Sequence, residues 1–168
     1  MENSWTELRI EIDKCIKNYN LDIIPLGITK WNKIEQKIIN YFTGTNGGFT
    51  WMWENKILNK FEYYAEEISD YNILVKIILE TINQNDELWF FIEDTLNYET
   101  KYWGYEGKIN DIIKLLNELP LCDFYIVSKK LEWVIGQDHH DILFVFGKIK
   151  ELLELRINEN NGVRNNGT

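Results

Sequence analysis

The chain has 168 residues, 45% of them apolar and 14% aromatic, with 27 acidic against 18 basic side chains and a net charge of −9. This length and apolar content suit one domain with a substantial core and exclude a disordered body. The acid excess repels a phosphate backbone, so no nucleic-acid partner is expected, and it attracts a basic protein or a cation.

Ser4-Trp5-Thr6-Glu7 reads as a capping box, with Ser4 as N-cap and Glu7 reaching back. Trp5, Leu8, Ile12, Cys15 and Tyr19 follow at helical spacing and predict one apolar face of a first helix. Pro25 and Gly27 break it. Thr29 suits the cap of a second helix with the stripe Trp31, Ile34, Ile38 and Tyr41. The glycines at 44, 47 and 48 predict a turn, since the lysine-serine or lysine-threonine pair of a phosphate cradle is missing. In "FTWMWE" the rings Phe49, Trp51 and Trp53 alternate like a strand, while Thr50 equally suits a helix cap. Ile57, Phe61, Tyr64 and Ile68 predict a helix, Ser69-Asp70 interrupts it, and another runs from Tyr71 to about Ile82. Apolar residues surround most of that last helix, which predicts burial on more than one side.

After Asn85 the texture changes. Leu88 to Ile92, "LWFFI", predicts a strand covered on both faces, followed by a polar-aromatic loop to Gly107. Ile109, Ile112, Ile113, Leu116 and Leu119 predict a helix stopped by Pro120. Asp123–Ser128, then Leu131, Trp133 and Ile135, then Asp141–Phe146 predict three strands. Gly147 ends the last, and Ile149, Leu152, Leu153 and Arg156 lie on a closing helix. The expected fold is α+β: N-terminal helices packed on a small mixed or antiparallel sheet of about four strands, with a C-terminal helix. Residues 1–157 form the single domain and 158–168 a flexible polar tail. The passage from Leu88 to Ser128 suits a parallel crossover.

Both histidines fall in Gln137-Asp138-His139-His140-Asp141. A metal-assisted hydrolase would draw its ligands from Asp138, His139, His140 and Asp141, with Glu132 in reserve. Yet adjacent histidines on a strand point to opposite faces, and no third histidine exists to complete a site. The favoured reading is a strand connection from Gly136 to Asp141. Asp138 or Asp141 would bond turn amides, with one histidine packed and the other exposed. Cys15 and Cys122 are too few for a disulfide framework or a thiolate zinc site and read as small buried hydrophobes. Neither has a histidine neighbour, so no catalytic residue and no cofactor is expected.

The segment Glu93–Gly107 is more suggestive. It carries Glu93, Asp94, Glu99 and Glu106 against one Lys101, among Tyr98, Tyr102, Trp103 and Tyr105. Rings as anchors and acids as steering groups suit an interface with a basic protein. Glu62, Glu66, Glu67 and Asp70 offer a second acidic face on the expected helix before Tyr71. The opening Met1-Glu2-Asn3 lacks the pattern of a signal peptide, and the longest apolar runs are far too short for a bilayer, so a cytoplasmic protein without membrane contact is expected.

The stretch "DFYIVSKKLEWVIGQDHHDIL" resembles the end of a group of small uncharacterised bacterial proteins, which share a strand–turn–strand segment with a histidine pair. In profile the whole chain is similar to immunity proteins of bacterial toxin systems, including contact-dependent inhibition: small, acidic, single-domain and without a recognisable reactive centre. That resemblance implies a cognate toxin domain as partner, a basic nuclease by charge, neutralised by occlusion.

Overall fold

The computed structural model describes residues 6–44, 63–67, 70–96, 99–120 and 122–165. Helices α1 (Glu7–Asn18) and α2 (Ile28–Thr43) come first, with strand β1 (Ile23–Pro25) between them. Strand β2 (Tyr63–Glu67) and helix α3 (Tyr71–Thr81) lead to the hairpin of β3 (Glu87–Leu96) and β4 (Glu99–Lys108). Helix α4 (Ile109–Glu118), strands β5 (Phe124–Ser128), β6 (Trp133–Gln137) and β7 (Ile142–Gly147), and helix α5 (Lys150–Asn165) complete the order. The strands form one seven-stranded sheet in the order β1-β4-β3-β5-β6-β7-β2. All its pairings are antiparallel. The α+β class and the C-terminal helix are as the sequence predicts, but the sheet is larger than about four strands.

The extra strands have physical causes. Gly104 and Gly107 interrupt the apolar pattern of β4, yet each is there for a close approach. A Cβ at Gly104 would come within 2.9 Å of Leu26, 3.0 Å of Phe91 and 3.1 Å of Trp31, and one at Gly107 within 3.1 Å of Ile23. The expected loop is therefore the second strand of a hairpin. This reverses the chain once more, so β3 and β5 pair antiparallel, Leu88 opposite Ser128 and Ile92 opposite Phe124, instead of forming a parallel crossover. Of the helix expected from Ile57 to Ile68, the described part, Tyr63–Glu67, is β2, paired with β7 from Tyr63↔Phe146 to Glu67↔Ile142. Tyrosine and the open edge of β7 favour extension there. With Tyr63–Glu67 extended as a strand, the helical spacing that would gather the second acidic face is absent. Glu62 and the stretch 49–54 lie outside the described residues.

Helix ends also differ in detail. Thr6, not Ser4, caps α1, its hydroxyl accepting from the Arg9 amide at 3.2 Å. Gly27 stands at the N-cap of α2, two residues before the expected Thr29. Tyr19 leaves the buried stripe of α1. It is the C-cap residue, 54% exposed, with its hydroxyl donating to Glu118 at 2.7 Å. Helix α5 continues through the expected tail to Asn165.

Pleating divides the sheet into two covered faces. Phe90, Tyr105, Phe124 and Ile126 share one, with Phe90 6.0 Å from Tyr105 and 6.4 Å from Phe124 between ring centroids. Helices α1, α3 and α4 pack on this side. Trp89, Phe91, Tyr125 and Phe144 share the other, which faces α2: Phe42 of α2 meets Phe146 at 6.3 Å. Burial of each such ring contributes roughly 1.5–3 kcal/mol. Gly147 closes β7 at φ +86, where an added Cβ would lie 2.2 Å from the Glu132 carbonyl oxygen.

One titratable group sits against this packing. Glu35 on α2 is half-buried, and burial pushes its carboxyl up to about 7. The folded chain holds that proton across a pH range in which the unfolded chain, with an ordinary value of 4.5, has released it. Stability therefore falls as pH rises through this window. Glu35→Gln should stabilise the chain by on the order of 2 kcal/mol at pH 8 and hardly at all at pH 4, as read by denaturant titration at the two pH values. Equal effects at both would show that the carboxyl is solvated.

Candidate functional site

The hairpin and the histidine turn meet at one end of the sheet. The Glu93 amide donates to the Asp123 carbonyl at 2.8 Å, and Gln137, the last residue of β6, pairs with Phe124. Asp138 organises the turn that follows. Its side chain is 1% exposed, and Oδ1 accepts from the amides of His140 at 2.9 Å and Ile142 at 3.0 Å. Asp141 takes φ 61, a left-handed conformation that aspartate tolerates, and its carboxylate accepts from the side-chain Nε2 of Gln137 at 3.3 Å. A carboxylate bonding turn amides is what the sequence predicts here. Both histidines, however, are exposed, so neither is packed. A turn, unlike a strand, places neighbouring side chains together, and the two imidazole centroids are 4.1 Å apart.

Behind His139 lies a row of hydrogen-bonded groups. Asp123, 7% exposed, accepts at Oδ1 from the His139 amide at 2.8 Å and faces His139 Nδ1 at 3.0 Å. On its other side Asp123 adjoins Glu93, which accepts from the Tyr102 hydroxyl at 2.8 Å. Burial first, and then the neighbouring Asp123, push the Glu93 carboxyl up, despite the opposing tyrosine bond. Two adjoining carboxyls hold one proton more readily than none. Asp123 in turn raises His139, first by its hydrogen bond and then by its charge. The row Tyr102–Glu93–Asp123–His139 thus raises the proton affinity of Glu93 and favours an imidazolium at its solvent end.

Asp138, His139, His140 and Asp141 do not converge. Asp138 is turned to backbone amides, His139 to Asp123 and Asp141 to Gln137. Among the described residues no group of three histidine, cysteine, aspartate or glutamate side chains could hold a metal ion. Burial and then Asp123 push the Cys122 thiol up to about 12, and burial also raises Cys15, so both thiols stay protonated near neutral pH.

The eight residues expected at an interface are distributed otherwise. Tyr102, Trp103 and Tyr105 are 6%, 5% and 0% exposed and belong to the core. Trp103 Nε1 donates to Asp94 at 2.6 Å, and the Thr6 hydroxyl donates to the same carboxylate. The Arg9 guanidinium, 3% exposed, lies 5.4 Å from the Trp103 ring and 4.7 Å from the Tyr105 ring. Glu93 is bound to Tyr102, and Glu106 pairs with Lys129 at 3.0 Å. Glu99 lies on β4 opposite Leu96, with its side chain outside the described residues, as is the whole of Tyr98. These rings serve the domain's own core because β4 is an interior strand beside β3, not a loop over it. Exposed apolar side chains appear instead on the helices and on β1: Ile10 at 44% and Tyr19 at 54% on and after α1, Ile24 at 60% on β1, and Tyr41, Leu152 and Leu155 on α2 and α5. Glu7, Glu11 and Asp22, all exposed, belong to the same part of the chain as Ile10, Tyr19 and Ile24. Ile10 lies off the stripe Leu8–Ile12–Cys15, which is the sequence signal for its outward position.

Replacing Asp123 with asparagine removes the charge that favours the His139 imidazolium. The His139 pKa should fall back toward its ordinary value, followed through its ring proton in an NMR pH titration. An unchanged His139 would break the row.

The model of a protein family described as a family of unknown function, DUF6756, matches residues 4–156. No curated protein and no solved structure matches. The matched span includes both strand ends, the histidine turn and all the helices up to the first turns of α5. The chain therefore belongs to the DUF6756 family.

Proposed function

We propose that this chain is a binding protein, an immunity protein that neutralises a bacterial toxin domain by covering its active or substrate-binding surface. The observation that carries the reading is the net charge of −9. A surface of this sign attracts a basic nuclease and competes with the phosphate backbone that the nuclease must engage. The exposed carboxylates of Glu7, Asp22, Asp86, Glu151 and Glu159 make no ion pair among the described residues, which leaves them available to a cationic partner.

With the rings of β4 in the core, this reading takes its contact surface from α1 and β1, where Ile24 is the most exposed of the large apolar side chains. There Ile10, Tyr19 and Ile24 would be the apolar anchors, and Glu7, Glu11 and Asp22 the steering charges. This protein works in the cytoplasm in the proposed role. In keeping with that, no helix among the described residues is long and apolar enough to cross a membrane.

The test is titration of the purified chain against the toxin domain encoded beside it, at low and at high salt. Tight binding with an association rate that falls about tenfold or more with salt is expected, and the triple reversal Glu7→Lys, Glu11→Lys, Asp22→Lys should slow association to a similar degree. No complex, or a salt-indifferent one, would contradict the reading.

A further inference from the structure

On the sheet face away from the carboxyl row, the same strand ends border a pocket of about 360 Å³. Its walls are the start of α3 (Tyr71, Asn72), the end of α4 (Leu116, Leu119, Pro120), Cys122 and Phe124 before and on β5, and Gln137 at the end of β6. The size falls within the range of small-molecule sites. Two of its lining residues, Gln137 and Tyr71, carry polar atoms that the fold leaves unpaired. Gln137 is 2% exposed, and while its nitrogen donates to Asp141, its Oε1 is buried without a hydrogen-bond partner. The Tyr71 hydroxyl is likewise buried and without a partner. Orphaned polar groups are costly in a folded chain, and here an acceptor and a donor, each covered in this structure, belong to side chains that line one cavity and can turn to it when a ligand enters.

We propose that this pocket binds a small neutral molecule that is apolar over most of its surface and carries a carboxamide-like group, its N–H donating to Gln137 Oε1 and its carbonyl accepting from the Tyr71 hydroxyl. Leu116, Leu119 and Phe124 supply the apolar contact. Neutrality follows from the walls. Burial pushes both the Tyr71 hydroxyl and the Cys122 thiol up to about 12, so the cavity disfavours charge. Asp123, Glu93 and Asp94 act on Cys122 with like charge and disfavour an anion further. This site is independent of the proposed toxin partner, which would meet α1 and β1.

Benzamide, benzoate and ethylbenzene are the probes: the first has the amide, the second the same shape with a charge, the third the ring alone. Titration of the full chain, followed by NMR at Leu116, Leu119 and Phe124, should show benzamide binding, with benzoate and ethylbenzene at least tenfold weaker. Benzamide should also slow alkylation of Cys122. Gln137→Leu should weaken benzamide at least tenfold. Tyr71→Phe, which removes only the hydroxyl and so leaves the fold intact, should weaken it several-fold. No binding at these residues, equal binding of benzoate or ethylbenzene, or unchanged affinity in Tyr71→Phe would overturn the proposal.

Discussion

The structure depends on β3. From Leu88 to Ile92 every side chain is buried, Phe90 and Ile92 on one face and Trp89 and Phe91 on the other, with exposures of 8% or less. A strand wetted on neither face requires a neighbour on each edge and a layer on each side. β4 and β5 provide the edges; α2 covers one side, and α1, α3 and α4 cover the other. The sheet then extends outward from this strand to β1 at one margin and β2 at the other. Both margins are short, three and five residues, which limits the open edge available for unwanted pairing.

The same constraint decides where the aromatic residues go. A chain this rich in rings has two uses for them, and the pleat settles the matter for β4. Trp103 and Tyr105 share a face with Ile92 and Phe90 and receive a buried guanidinium from Arg9. Tyr102 lies on the opposite face, against Tyr125 at 5.7 Å, and there begins the carboxyl row to His139. What remains outward is charge, with a few aliphatic and tyrosine side chains at the α1–β1 margin and on α2 and α5. Several of the polar groups that enter the interior lie at one end of the sheet: the carboxyl row on one face, and the orphaned Gln137 and Tyr71 atoms on the other.

Much of this fold is legible in the sequence. β3, β5, β6 and β7 announce themselves as apolar runs bounded by turn residues, and α3 and α4 as helical stripes with clear ends. The Asp138 turn is legible too, because a short acidic side chain between two strands has backbone amides within reach. β4 is not, since its two glycines and its charged residues imitate a loop. Their reason lies in Trp31, Leu26 and Ile23, which are distant in sequence. β1 and β2 are short edges whose pairing is decided by their neighbours more than by their own residues. Arg9 shows the same limit for a single side chain: on a helix it counts as polar, and only the rings of β4 explain its burial. The carboxyl row is equally hidden, because Glu93, Asp123 and His139 come from three separate elements. The pocket depends on α3 and α4 lying over the ends of β5 and β6, a placement no local pattern encodes.

The central claim is that the ring-rich hairpin is the core of this domain and not its binding surface. Native-state hydrogen exchange of the full chain tests it most directly. Each amide from Trp89 to Ile92 sits between two strands and should exchange only through global unfolding, among the slowest in the molecule. Exchange of these amides within minutes, at the pace of the Lys129-Lys130 turn, would contradict the account.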